Sequence, residues 1–166
     1  MIADYDPVWP ERFESHRRRI DETLGPTAQR IEHVGSTSVP GLAAKPIIDI
    51  QVSVTDPEHE ASYVQALERA GYHLRVREVG HRMLRTTERD VHVHVCASGS
   101  DWERRHLVFR DWLRHNAPDR RLYESTKRRL AERRWPTTDH YADAKTPVID
   151  EIMRRALRTG AETSEG

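Results

Sequence analysis

Two β-type segments of the sequence carry polar side chains at alternate positions, and these side chains are the best suited to chemistry. In the first segment, IIDIQVSV, the polar residues are Asp49, Gln51 and Ser53. In the second, VHVHVCA, they are His92 and His94. Because the side chains of a strand alternate between its two faces, each segment should present its polar residues on one face and its aliphatic residues to the core. A carboxylate and imidazoles brought together in this way can bind a metal ion or transfer protons.

A short loop rich in glycine and serine precedes the aspartate segment. It contains Gly35, Ser36, Thr37 and Ser38, and it follows a predicted strand that carries His33. Backbone N–H groups in such a loop can bind an anion such as a phosphate. The spacing is equally consistent with a simple turn that joins two strands, so the loop alone does not define a phosphate site.

Basic residues are concentrated between Arg104 and Arg134, where acidic residues are interspersed with them. This pattern is typical of a solvated helix face. If one face of these helices closes over the polar strands, a few cations would reach a bound phosphate. The candidates are Lys45, Arg82 (or Arg85), Arg110, Lys127 and Lys145.

The stretch IEHVGSTSVPGLAAKPIIDI resembles the signature of the GrpB family. The resemblance extends through YDPVW, VHVHV, LVFRDWLRHNAPDRRLYESTKRRLA and Tyr141-x-x-x-Lys145, and so covers roughly residues 3 to 157. The family is similar to the polymerase-β-type nucleotidyltransferases, in which a Gly-Ser loop holds a triphosphate and three carboxylates hold two magnesium ions. The resemblance implies an α+β fold, with a nucleotidyltransferase-like mixed β-sheet flanked by helices and a helical C-terminal part.

The family pattern carries over to this chain only in part. Gly35 and Ser36 match the phosphate-holding pair, and Asp49 matches the first acid. Gln51 stands at the second acid position and His94 at the third. Magnesium prefers anionic oxygen ligands, whereas imidazole prefers zinc or another transition ion. The resemblance thus implies that Asp49, Gln51 and His94 are the catalytic positions, and that Asp49 and His94 are ligands of a divalent metal (magnesium, manganese or zinc). The replacement of two acids by Gln51 and His94 puts the standard two-metal mechanism in question.

The histidines allow three interpretations. His33, His92 and His94 lie on strands that flank the expected pocket. They could bind a transition metal together with Asp49, line the pocket without a metal, or lie half-exposed on the surface. The sequence leaves all three open.

The remaining periodicity predicts one domain over residues 1–159 and a flexible tail over residues 160–166. A helix should begin near Pro10 and end at Leu24, and another should run from Pro57 to Ala70. Later segments are predicted as strands over 72–78, 83–87 and 91–97, and as helices near 100–116, 118–133 and 139–158.

Composition restricts the class of protein. Acidic and basic residues balance at 27 each, which argues against nucleic acid as a partner. No apolar run approaches the roughly 18 residues of a membrane-spanning helix. The start, MIADYDPVWPERF, lacks the features of a signal peptide, and the single cysteine, Cys96, excludes an internal disulfide. We therefore expect a cytoplasmic protein that does not bind membranes.

Three functional hypotheses follow. In the first, the protein binds a nucleotide or another phosphorylated or anionic small molecule and acts as a transferase with an altered metal site. In the second, it is a catalytically inactive module that binds a nucleotide or a protein partner. The third is RNA binding through the basic helices, which the balanced charge favours less than the other two.

Overall fold

The computed structural model describes residues 1–164 and contains one five-stranded mixed sheet between two layers of helices. The strand order is β1-β2-β5-β4-β3; β2 and β5 are parallel, and the other neighbours are antiparallel. The elements are α1 (Val8–Leu24), β1 (Arg30–Val34), β2 (Ile48–Val54), α2 (Val64–Arg69), β3 (His73–Glu78), β4 (His81–Arg85), β5 (Val91–Ala97), α3 (Asp101–His115), α4 (Ala117–Ala131) and α5 (Thr138–Ser164). This is the predicted mixed sheet flanked by helices, with a helical C-terminal part.

The aliphatic face of the central strands forms the main core. Ile48, Ile50 and Val52 of β2 are fully buried and pack with Trp9 and Ile20 of α1. The alternation of β2 and β5 predicted this burial, because every second side chain points to the same side. The opposite face of the two strands therefore carries the polar residues.

The helices α3, α4 and α5 lie over the polar face and the glycine-rich loop. A second, smaller apolar cluster joins them to that loop; it includes Val39 and Leu42 beyond the loop, Leu113 of α3, Tyr123 of α4 and Ile152 of α5. Packing of the loop against three helices fixes its position relative to β2. Within the described residues 1–164, no helix is both long enough and apolar enough to cross a membrane.

Several predicted boundaries differ from the structure by one or two residues, and those of α2 and α5 differ by more. The predicted helix over 57–70 is reduced to α2 and a short 3-10 turn, because Asp56 accepts a hydrogen bond from the Glu58 N–H and the buried Tyr63 hydroxyl donates to the Pro57 carbonyl. Strand β4 begins at His81, two residues earlier than predicted, after a tight turn at Gly80. Helix α5 extends to Ser164.

The predicted flexible tail, residues 160–166, thus begins inside α5. Residues 165–166 lie outside the described part of the chain. The flexibility of this segment stays a prediction.

Candidate functional site

Asp49 and two histidines meet on the polar face of the sheet. Asp49 is the partner of His92 in the parallel ladder between β2 and β5, and Gln51 is the partner of His94. His94 Nε2 lies 3.0 Å from Asp49 Oδ1, and His92 Nδ1 lies 3.7 Å from the same oxygen. The three side chains are partly exposed, at 21–28% of their surface. The sheet therefore brings an open carboxylate–imidazole cluster together at its centre.

Gln51 belongs to the same face but is held differently. It is only 1% exposed, and its amide Nε2 donates to the Glu103 carbonyl of α3 at 3.4 Å. Its Oε1 is buried and has no hydrogen-bond partner among the described residues. Gln51 therefore connects the sheet to α3 and retains a free acceptor atom.

The glycine-rich loop passes directly beside Asp49. Gly35 has φ of 74°, and a Cβ added there would lie 2.5 Å from Asp49 Oδ2. A side chain at this position would displace the carboxylate, so the close approach requires glycine. The loop then forms a 3-10 turn over Ser36–Ser38, with the Ser38 hydroxyl bound to the Gly35 carbonyl.

A cavity of about 160 Å³ opens on one side of Asp49. We call it the lysine cavity; its lining is Ile2, Ser36, Thr37, Lys45, Ile47, Asp49, Lys127, Tyr141 and Lys145. Lys127 Nζ donates to Ser36 Oγ and to the Ala43 carbonyl, each at 2.9 Å. The ammonium groups of Lys45 and Lys145 lie over the Tyr141 ring, 4.4 and 4.7 Å from its centre. Three cations from distant parts of the chain thus converge on one space.

The lining of the lysine cavity has more positive than negative groups. Lys127 is 3% exposed, and burial together with the neighbouring cation of Lys145 lowers its pKa to about 7. Burial and the nearby Lys45 also lower the pKa of Lys145. Asp49 is the one carboxylate in the cavity lining. An anion bound there would stabilise the charged lysines and restore these pKa values.

A second cavity, of about 200 Å³, lies on the other side of Asp49. We call it the tryptophan cavity; its lining is Val34, Gly35, Asp49, Gln51, His94, Trp102 and His106. Trp102 stacks between His81 and His106, with ring centres 4.0 and 4.2 Å apart. Its indole N–H is buried without a hydrogen-bond partner among residues 1–164. The residues that line the tryptophan cavity therefore include one unused donor, the Trp102 N–H, and one unused acceptor, Gln51 Oε1.

Two predicted binding residues lie on the opposite face of the sheet. His33 stacks on Phe13 at 4.9 Å and contacts the Thr37 hydroxyl at 3.0 Å, so it supports the loop from behind. Arg82 is bound to Glu58 and Glu60, with nitrogen–oxygen distances of 2.7 and 2.6 Å. Each of these two residues is adjacent in its strand to residues that face the polar side, so its own side chain points to the aliphatic side. Neither side chain therefore reaches the lysine cavity.

Other predicted residues hold the loop and do not line its open side. Arg110 donates to Glu32 at 2.7 Å and to the His33 carbonyl at 3.0 Å, and thereby ties α3 to β1. Thr37 donates its hydroxyl to the Ile47 carbonyl at 2.9 Å. Thr37 lines the lysine cavity, but its hydroxyl is already used.

Several residues of the site were not predicted from the sequence. Tyr141, His81, Trp102 and His106 were not candidates, because the sequence does not show that their rings face the two cavities; Tyr141 was noted only within the Tyr141-x-x-x-Lys145 motif. His92 was considered with His33 and His94 as a possible metal ligand but was not assigned to the site, although its spacing from His94 is the pattern of two metal ligands on one strand. That spacing is the signal that could have assigned it.

The residues do not fit the two-magnesium centre that the nucleotidyltransferase fold implies. Of the three positions that carry acids in that pattern, only Asp49 has a carboxylate here. Gln51 offers a neutral amide oxygen in place of a carboxylate, and His94 offers nitrogen where magnesium prefers anionic oxygen. Any chemistry at this site must proceed by other means.

The chain is similar over nearly its full length to proteins of one family. A family model described as "GrpB protein" matches residues 1–155. A UPF0157 protein of Streptomyces coelicolor is 54% identical over 155 residues, which cover 93% of this chain and 83% of that protein. A UPF0157 protein of Halalkalibacterium halodurans is 48% identical over 161 residues, which cover 95% of this chain and 83% of the relative.

Solved structures agree with the sequence comparisons. The crystal structure of the conserved protein GrpB from Enterococcus faecalis superposes with a TM-score of 0.85 at 35% identity, covering 96% of this chain and 98% of that one. A chain of the GLD-2/RNP-8 complex gives a TM-score of 0.58 at 14% identity, over 89% of this chain and 60% of its own length, and so shares the fold alone. The chain therefore belongs to the GrpB family and has a nucleotidyltransferase-like fold.

Proposed function

We propose that this protein binds a nucleotide or another phosphorylated small molecule, with its phosphate groups in the lysine cavity. One observation carries the proposal: the chain has 27 basic residues, only three of them are lysines, and all three line this cavity beside Ser36. All the other residues of this Lys and Arg total are arginines. Three lysines at one place therefore indicate a local requirement for compact ammonium groups.

The arrangement suits a phosphate rather than a carboxylate. A cavity of about 160 Å³ has room for a small, highly charged group. Lys45, Lys127 and Lys145 surround that space, and the Ser36 hydroxyl adds a polar partner. A phosphate ester carries close to two negative charges at neutral pH and three acceptor oxygens, so it can satisfy several cations at once.

Whether the protein is an enzyme or a binding module depends on what Asp49 does. In the transferase alternative, Asp49 accepts a proton from an acceptor molecule bound in the tryptophan cavity, while the lysines stabilise the phosphate charge. In the inactive alternative, the loss of two carboxylates leaves a binding site only. We place either activity in the cytoplasm, without nucleic acid or membrane as a partner, since the charge is balanced and the single Cys96 is buried and free.

The binding proposal is tested by thermal denaturation with ATP, CTP, GTP, UTP and pyrophosphate in the presence of a chelator. A ligand that binds the folded state raises the melting temperature by an amount set by its concentration over its Kd. We expect a rise that is lost in Lys45→Met and Lys145→Met. The matched control is Arg121→Met, which removes an exposed cation from α4. An equal rise in the lysine variants and the control would contradict the proposal.

The two alternatives are separated by release of pyrophosphate from a nucleotide. In the transferase alternative, release occurs with an acceptor present and is abolished by Asp49→Asn. In the inactive alternative, ligand binding persists and no release is detected.

A further inference from the structure

We propose that Asp49, His92 and His94 form a binding site for a single transition-metal ion of the zinc class. Each residue offers one ligand atom, and the three atoms all lie within 4.8 Å of one another. They come from two adjacent strands whose pairing fixes their relative positions. Ligands on rigid strands are held in place before the ion arrives, which lowers the entropic cost of binding.

The hydrogen bonds around His94 allow a cation to bind to His94 and Asp49 together. His94 Nδ1 lies 3.0 Å from His81 Nε2, and His81 Nδ1 faces the Glu78 carboxylate at 3.5 Å. His81 Nδ1 makes no hydrogen bond among the described residues, so the His81–His94 pair has two possible proton arrangements. In the one that carries the His81 proton on Nδ1, His81 Nε2 accepts the His94 Nδ1 proton.

This proton arrangement leaves a lone pair on His94 Nε2, which faces Asp49 Oδ1 at 3.0 Å. Two lone pairs at this distance repel each other unless a cation lies between or beside them. A metal ion bound by both atoms removes the repulsion. The His81–His94 hydrogen bond is then the outer hydrogen-bond support that metal-binding histidines usually have.

The ligand set determines the class of ion. Two imidazoles and one carboxylate suit zinc, iron, cobalt or nickel, whereas magnesium and calcium require oxygen ligands. Three protein ligands also leave coordination positions open, as in catalytic rather than structural metal sites. The partial exposure of all three side chains agrees with an open position.

The ion would connect the two cavities, because Asp49 lines both of them. If the lysine cavity binds a phosphate as proposed above, an open position of the metal is available to one of its oxygens. This last step rests on the proposed function. The metal site itself does not, since it is defined without any phosphate.

The experiment is calorimetric titration of the untagged, chelator-treated protein with Zn²⁺, Co²⁺ and Mg²⁺ in a buffer without phosphate. We expect one zinc or cobalt ion per chain and no saturable magnesium binding. His94→Gln and His92→Gln should each weaken zinc binding by more than the roughly 10–100-fold typical of losing an outer hydrogen-bond partner. The control is His59→Gln, an exposed histidine far from β5 in sequence, which should bind zinc like the wild type.

The alternative is that a proton, not a metal, occupies the space between His94 and Asp49. Absence of one-to-one zinc binding, unchanged affinity in both histidine variants, or magnesium binding as tight as zinc would each overturn the proposal. Thermal denaturation shows whether each variant is folded. Two variants of partly exposed residues are used, so that the other still tests the proposal if one of them does not fold. Because this titration contains no phosphate and the nucleotide assay contains a chelator, each proposal can fail without the other.

Discussion

Replacement of Lys127 by methionine should remove a large pH dependence of stability. Lys127 is buried beside Lys145, and its pKa falls from the ordinary 10.5 to about 7. Between these two values the unfolded chain binds a proton that the folded protein does not. Stability therefore rises with pH across this range, and the gain is absent below about pH 7, where both states are protonated.

The expected magnitude follows from the size of the pKa change. Each pH unit between the two pKa values is worth about 1.4 kcal/mol. From pH 6 to pH 9, Lys127 should thus contribute about 2.7 kcal/mol to the free energy of unfolding. For a domain of this size, that corresponds to a rise in melting temperature of about 5–11 °C.

The measurement is urea denaturation of the wild type and of Lys127→Met at pH 6, 7.5 and 9. Titrating groups away from Lys127 change both proteins alike, so the difference between the two reports on Lys127 and its immediate neighbours, chiefly Lys145. Methionine also leaves Ser36 and the Ala43 carbonyl without their partner, but that cost does not depend on pH. Arg121→Met is the control and should follow the wild type at every pH. A difference between wild type and Lys127→Met that is the same at all three pH values would refute a buried lysine with a lowered pKa.

The remaining predictions concern the ligand, the loop and the far face of the sheet. Binding of ATP should be accompanied by proton uptake near pH 8 and should weaken toward pH 9.5, because the anion raises the lowered pKa of Lys127. Calorimetry in buffers of different ionisation enthalpy measures this uptake. No uptake would be seen if Lys127 stays away from the phosphate. Gly35→Ala should destabilise the protein by more than the about 1–2 kcal/mol that a residue in the left-handed region costs, since its Cβ would also displace Asp49. Gly80→Ala, with φ of 75° and no close contact, is the control in urea denaturation. An equal loss of unfolding free energy in the two variants would contradict the contact between Gly35 and Asp49. Arg82→Met should lower stability by about 1–3 kcal/mol yet leave ATP affinity unchanged, and a change in affinity would mean that Arg82 reaches the site.

Local patterns in the sequence determined the strands and their faces. The alternation in VHVHVCA predicted β5 with its observed ends, and IIDIQVSV predicted the buried and polar sides of β2. Period-two alternation depends only on backbone geometry, so it is visible in a single segment. The pairing of Asp49 with an imidazole also followed, once the two polar faces were assumed to share one sheet. The weaker helix signal at 57–70 failed because Asp56 and Tyr63 use their side chains to form turns there.

Only the tertiary structure decided which cations and aromatic residues meet Asp49. The sequence predicted the lysines at positions 45, 127 and 145 as phosphate contacts but did not separate them from Arg82 and Arg110, because their convergence depends on how α4 and α5 pack over the loop. The same holds for Trp102, and for the placement of His33 and Arg82 on the far side of the sheet. Side-chain periodicity can be seen within a few residues of the sequence. Helix packing and strand register are set by contacts between segments far apart in the chain, so packing and register are defined only when the whole core is assembled.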